Sequence, residues 1–205
     1  MAPFLMNLAH CFVVIILNNC LMQYGGDLAK AAYGVINRFI FVFAMIVMGL
    51  NQGMQPIAGY NYGAGQYDRM WRSMKLTALC ATVVMTTVFL LGECIPEWLT
   101  SVFTHDPTLI SATIKPMRIL SSSMWLVGFQ MVAGNFFTSI GRYKESIFLS
   151  LTRQVLYLIP LIFLLPLLFD SPINGVWWAI PLSDSISALT AAIMLFIAAR
   201  KLPIK

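Results

Sequence analysis

Asn7, His10, Asn18 and Asn19 lie in one long apolar stretch, and Asn37, Arg38, Gln52 and Gln55 lie in the next. Gln130 and Asn135, then Arg153 and Gln154, then Asp184 follow in three later ones. Each such group is costly in hydrocarbon unless it is paired or faces water. A helix–helix hydrogen bond accounts for any single amide, at about 0.6–2 kcal/mol. Taken together, Asn18, Asn37, Arg38, Gln52, Gln55, Gln130 and Asn135 suggest a polar cavity that binds a solute, which a purely structural bundle would not need. The types and spacings exclude most other chemistry. There is no H-E-x-x-H, G-x-S-x-G or Walker A run. His10 and His105 fall on opposite sides of the expected topology. The reading is therefore not an enzyme, with no catalytic residue, no metal ligand set and no cofactor. An ATP-driven pump would need a nucleotide domain from another chain.

Arg153 and Asp184 are the two opposite charges of deepest interest. Arg153 stands about seven residues inside its segment, hence roughly 10 Å deep at 1.5 Å per residue. Asp184 stands about ten residues inside the next, roughly 15 Å from either face of a 30 Å core. The short DSPIN link makes these segments antiparallel neighbours, so an ion pair is within reach of the long Arg side chain. Three readings stay open: a structural pair that sets helix register, a proton- or substrate-coupled pair, and no contact.

The elements that carry these residues are set by hydropathy. The 205-residue chain is 59% hydrophobic and 10% charged, with mean hydropathy +0.79; soluble domains carry about 25% charge. Six segments are long enough to span a bilayer, at residues 3–23, 31–53, 72–92, 116–139, 146–169 and 175–199. The expectation is one all-α transmembrane lobe over residues 1–205, with the bilayer as its first partner. The first segment has no basic leader region, which argues against a signal peptide. Cys11, Cys20, Cys80 and Cys94 show no metal spacing and read as small hydrophobes. Pro160, Pro166 and Pro181 interrupt the last two segments and are expected to kink them.

Loop charges give orientation. With the N-terminus inside, the inner side holds Arg69, Arg72, Lys75, Arg142, Lys144, Arg200, Lys201 and Lys205; the outer side holds Lys30 and Lys115, with Arg118 near that boundary. The positive-inside rule therefore puts both termini in the cytoplasm. The net charge of +5 is loop asymmetry and not nucleic-acid affinity. The long outer connection, residues 93–115, has Trp98 and Phe103 for the interface and room for an interfacial helix. His105 and Asp106 read as solvated loop residues and not as a metal pair.

Residues 51–65, NQGMQPIAGYNYGAG, are the most distinctive run. Gly53, Gly59, Gly63 and Pro56 would weaken a soluble helix. Between membrane helices, small residues instead permit close approach, and Gly59 and Gly63 are expected at such a contact. The run resembles the signature ending the second helix of each half of the multidrug and toxic compound extrusion (MATE) transporters, which a basic loop follows. The resemblance extends along the chain through YGGDLAKAAYGVINRF, TSIGRYKESIFLSLTRQVLYLIPLIFLLP and NGVWWAIPLSDSIS. Together these look like the second, C-terminal half of a prokaryotic member.

That resemblance implies a six-helix lobe of a two-lobe, twelve-helix secondary transporter in the bacterial cytoplasmic (inner) membrane. It implies efflux of amphipathic or cationic compounds, drugs or toxic metabolites, by antiport with H⁺ or Na⁺. It also implies a partner: a missing N-terminal six-helix lobe, or a second copy. The chain departs from the family where carboxylates in the first and fourth helices of the second lobe bind Na⁺ in some members; here neither segment has Asp or Glu. The alternatives are a lipid or polysaccharide flippase lobe of the same superfamily, expected to have more buried cations, and a non-transporting fragment.

Overall fold

The computed structural model describes residues 2–201, with side chains described over 8–200. The side chains of Asn7 and Lys201, and all of Lys205, lie outside the described residues. Everything described is helix or short turn: α1 Ala2–Gly63, α2 Tyr67–Cys94, α3 Pro96–Phe103, α4 Pro107–Ser121, α5 Met124–Ser139, α6 Tyr143–Leu151, a π-helical stretch Thr152–Leu158, α7 Ile159–Leu168 and α8 Pro172–Lys201.

These pieces make six crossings. α1 is two spans folded at Gly26, whose φ of 67° lies in the left-handed region open to glycine. α2 is the third crossing. α4 and α5, of 15 and 16 residues, are each about 22–24 Å long, too short for a 30 Å core. Ser122 and Ser123 keep right-handed helical backbone between them, so the two stack into the fourth crossing. α6, the π stretch and α7 make the fifth, and α8 the sixth. The lobe is all-α and membrane-spanning.

Several boundaries differ from the hydropathy reading. The second span continues to Gly63, through Pro56 and the glycines, instead of stopping near residue 53. The third begins at Tyr67, and the fourth begins at Pro107, nine residues earlier than expected. Polar side chains at those ends hide the helices from a hydropathy count. Asp106 caps α4: its Oδ1 accepts from the Thr108 N–H at 2.9 Å and from the Thr108 hydroxyl at 2.6 Å. The hydroxyl bond, then the backbone bond, holds the Asp106 carboxyl below the usual carboxylate range. α3 forms the short helix expected in the outer connection, with Trp98 exposed. α8 runs through Pro181 without a break.

The core is aromatic and aliphatic, with Phe136, Phe137, Leu17, Leu21, Ile36, Met70 and Met85 fully buried. Trp71 packs on Phe136, ring centroids 5.0 Å apart. The outward faces are apolar as well: Leu76, Leu79 and Val83 on α2, and Leu189, Ile193 and Phe196 on α8, are exposed, as lipid contact requires. Glycines mark the tightest crossings. A Cβ at Gly128 would stand 2.6 Å from the Ala81 carbonyl oxygen of α2, and one at Gly59 would stand 2.9 Å from the Ser139 carbonyl oxygen of α5. A Cβ at Gly53 or Gly63 meets nothing within 4 Å. The packing role expected of Gly63 is thus not found: its position at the helix end points it away from neighbouring backbone.

Candidate transport cavity and buried ion pair

The fifth crossing changes its helical form where its polar residues stand. Pro160 cannot donate to the carbonyl of Leu156, and the π-helical turns end at Leu158, beside that missing bond. Arg153 and Gln154 project from this widened stretch. Across from them, α8 presents Asp184, buried to 1% exposure. Arg153 Nε donates to Asp184 Oδ1 at 2.8 Å, and the Ser123 hydroxyl donates to Asp184 Oδ2 at 3.4 Å. Ser123 sits at the break between α4 and α5, so three crossings converge on one carboxylate. Arg153 keeps 32% of its side chain exposed, because the pair lines a cavity.

That cavity, about 160 Å³, is walled by His10, Tyr33, Asn37, Gln154, Arg153 and Asp184 among apolar side chains such as Leu17, Leu120, Met124 and Ile180. The Gln154 Oε1 atom is buried without a hydrogen-bond partner. One cation and one anion face the same space. The lining is electrically balanced, apolar over most of its area, and hydrogen-bonding at a few points.

The remaining polar residues divide. Gln130 donates to Ser187 across α5 and α8, and Gln55 donates to Asn135 at 3.2 Å across α1 and α5. These are helix–helix bonds. Asn37 lines the cavity, while Asn18, Arg38, Gln52, Gln55, Gln130 and Asn135 are not among its lining residues; Arg38 and Gln52 are exposed on the outside of the lobe. Of the seven residues expected to share a cavity, this one takes in Asn37 alone. Tyr33, Ser123 and Ser187 were missed from sequence, since a lone hydroxyl carries no spacing signal. Asn51, with both amide atoms buried and unpartnered, was also missed. Its place beside Gln52 was its one clue. Among the described residues, no group of three or more metal-ligating side chains comes together.

Six crossings around a small, mostly apolar cavity that holds one balanced ion pair are the architecture of one lobe of a polytopic membrane transporter. The MatE family model matches residues 3–164, and the chain belongs to that family, whose members are transporters and not enzymes. "Multidrug export protein MepA" of Staphylococcus aureus strain bovine RF122 / ET3-1 is 24% identical over 194 residues, covering 95% of this chain and 42% of that relative. The MepA of Staphylococcus saprophyticus is 23% identical with the same coverage. Among solved structures, the MATE multidrug transporter DinF-BH, solved as a ligand complex, is 36% identical, with a TM-score of 0.84, over 100% of this chain and 45% of that one. An outward-facing MATE transporter of the MOP superfamily, 17% identical, shares the fold with a TM-score of 0.89 over 97% of this chain and 44% of its own. The chain spans less than half the length of the relatives it matches.

Proposed function

We propose that this chain is the C-terminal six-helix lobe of an exporter in the bacterial cytoplasmic (inner) membrane, working with an N-terminal six-helix lobe. It takes part in antiport of amphipathic or cationic compounds against H⁺ or Na⁺. The observation that carries this reading is the Arg153–Asp184 pair lining a mostly apolar cavity in a chain that matches a transporter family over most of its length. The balanced lining also weighs against a flippase for anionic lipid. Arg153 is already neutralised by Asp184, and Arg38 is not in the cavity.

The test is to fuse the chain to the N-terminal half of a MepA relative and follow a cationic rhodamine dye in everted membrane vesicles. An imposed H⁺ or Na⁺ gradient is expected to drive dye accumulation. A folded, membrane-inserted fusion that moves no dye under either gradient would exclude the reading.

The orientation follows from the loop charges, with both termini and the α1–α2 turn in the cytoplasm. A single cysteine at the exposed Gln66, in a background lacking Cys11, Cys20, Cys80 and Cys94, is expected to resist an impermeant thiol reagent in intact cells. It should react once the cells are opened. Labelling from outside would invert the topology.

A further inference from the structure

Helices α2 and α8 both pack on α5 but not substantially on each other. The gap between them is a groove of about 370 Å³. Its walls come from one face of each helix: Trp71, Met74, Lys75 and Ala78 on α2, and Ala192, Leu195, Phe196 and Ala199 on α8, with Phe129 as floor. The spacing is i, i+3 or i+4, i+7 on both helices. The alanines are what leave the groove open. It extends over about two helical turns, roughly 10 Å along the span.

Charge is concentrated at one end. Lys75 lies in the groove wall, and the Arg200 guanidinium carbon lies 4.5 Å from the centre of the Phe196 ring, at the groove's mouth. Arg69 and Arg72 stand on the preceding turns of α2. No Asp or Glu lines the groove. Neither Lys75 nor Arg200 has a carboxylate within ion-pair distance among the described residues, and Glu145 at the same end is already 3.8 Å from Arg142.

We infer that this groove is a binding site for an anionic phospholipid, with one acyl chain lying along Ala78 and Ala192 and the headgroup phosphate held by Lys75 and Arg200. An acyl chain alone gains little by leaving bulk lipid, because lipid tails are as apolar as the groove. Selectivity therefore comes from the two cations, whose long side chains reach the headgroup level while their stems stay in the wall. The inference depends on membrane embedding and is independent of the transport reading.

The test uses the purified full chain with Trp98, Trp125, Trp177 and Trp178 changed to Phe, leaving Trp71 in the groove wall as reporter. Quenching by brominated phosphatidylglycerol is compared with quenching by brominated phosphatidylcholine in mixed micelles. An anionic preference of about tenfold is expected from two cationic contacts. Lys75→Gln with Arg200→Gln should bring it close to one, and Ala192→Leu should weaken quenching by both lipids. Equal quenching by the two lipids, a preference that survives the double change, or displacement by millimolar inorganic phosphate would each overturn the site. Native mass spectrometry of the unmodified chain gives the same comparison should the single-tryptophan protein fail to fold. Retention of phosphatidylglycerol over phosphatidylcholine is then the expected result, and equal retention refutes it.

Discussion

Replacing Arg153 by Gln is expected to cost the lobe about 3–5 kcal/mol of stability, because it strands the Asp184 carboxylate in the interior. Only the Ser123 hydroxyl, at 3.4 Å, would remain beside it. Asp184→Asn should cost less. The Arg153 side chain is 32% exposed and can turn its charge into the cavity. The double change, Arg153→Gln with Asp184→Asn, should cost less than the sum of the two singles, since the second change relieves what the first exposed. Thermal unfolding of the four proteins in one detergent measures the coupling. Additive losses would show that the 2.8 Å contact contributes nothing. The same double variant, placed in a two-lobe fusion, separates two roles. Coupled stability with intact dye export makes the pair a structural fastener, whereas intact stability with lost export assigns Asp184 to transport.

The second large effect is expected from glycines at backbone crossings. Gly128→Leu drives a side chain into the Ala81 carbonyl group, 2.6 Å from its oxygen and 2.8 Å from its carbon. Helix α5 must then leave α2. Overpacking of this kind typically costs about 1–3 kcal/mol or more. The helix-propensity gain from removing glycine, about 1 kcal/mol, offsets only part of it. Gly59→Leu meets the Ser139 carbonyl oxygen at 2.9 Å and should act likewise. Gly134→Leu and Gly63→Leu meet nothing within 4 Å of the new Cβ and serve as controls. Folded yield in detergent is expected to fall for the first two and hold for the others. Equal yields for Gly59→Leu and Gly63→Leu would mean that the signature glycines serve chain flexibility and not contact.

The six crossings were legible because apolar length is a direct physical demand of the bilayer, read without knowledge of neighbours. The Arg153–Asp184 contact was legible in two of the three readings, because the five-residue DSPIN link leaves adjacent helices little freedom. What sequence could not give was which face each helix turns inward. Gln55, Gln130 and Asn135 have the composition of cavity residues, yet two bonds between crossings take them up. Arg38 and Gln52 stand on the lobe's exterior. The π-helical stretch was equally hidden, since Pro160 states only that one bond is missing and not how the turns before it respond. Gly128, outside the distinctive glycine run, marks a closer backbone approach than Gly59 within it. A glycine's importance depends on the partner backbone, which is distant in sequence.

The apolar outer faces of α2 and α8 carry a thermodynamic consequence. Residues such as Leu76, Val83, Leu189 and Phe196 are exposed in the folded lobe and contact acyl chains whether or not the helices are assembled. Separating the helices within a bilayer therefore brings little new apolar surface to water. The heat-capacity increment that gives soluble proteins their curved stability profile arises from that exposure. Assembly of this lobe draws instead on close packing at points such as Gly128 and on the few internal polar bonds. Its stability should vary only gently with temperature, and steeply with any change that spoils the fit between helices.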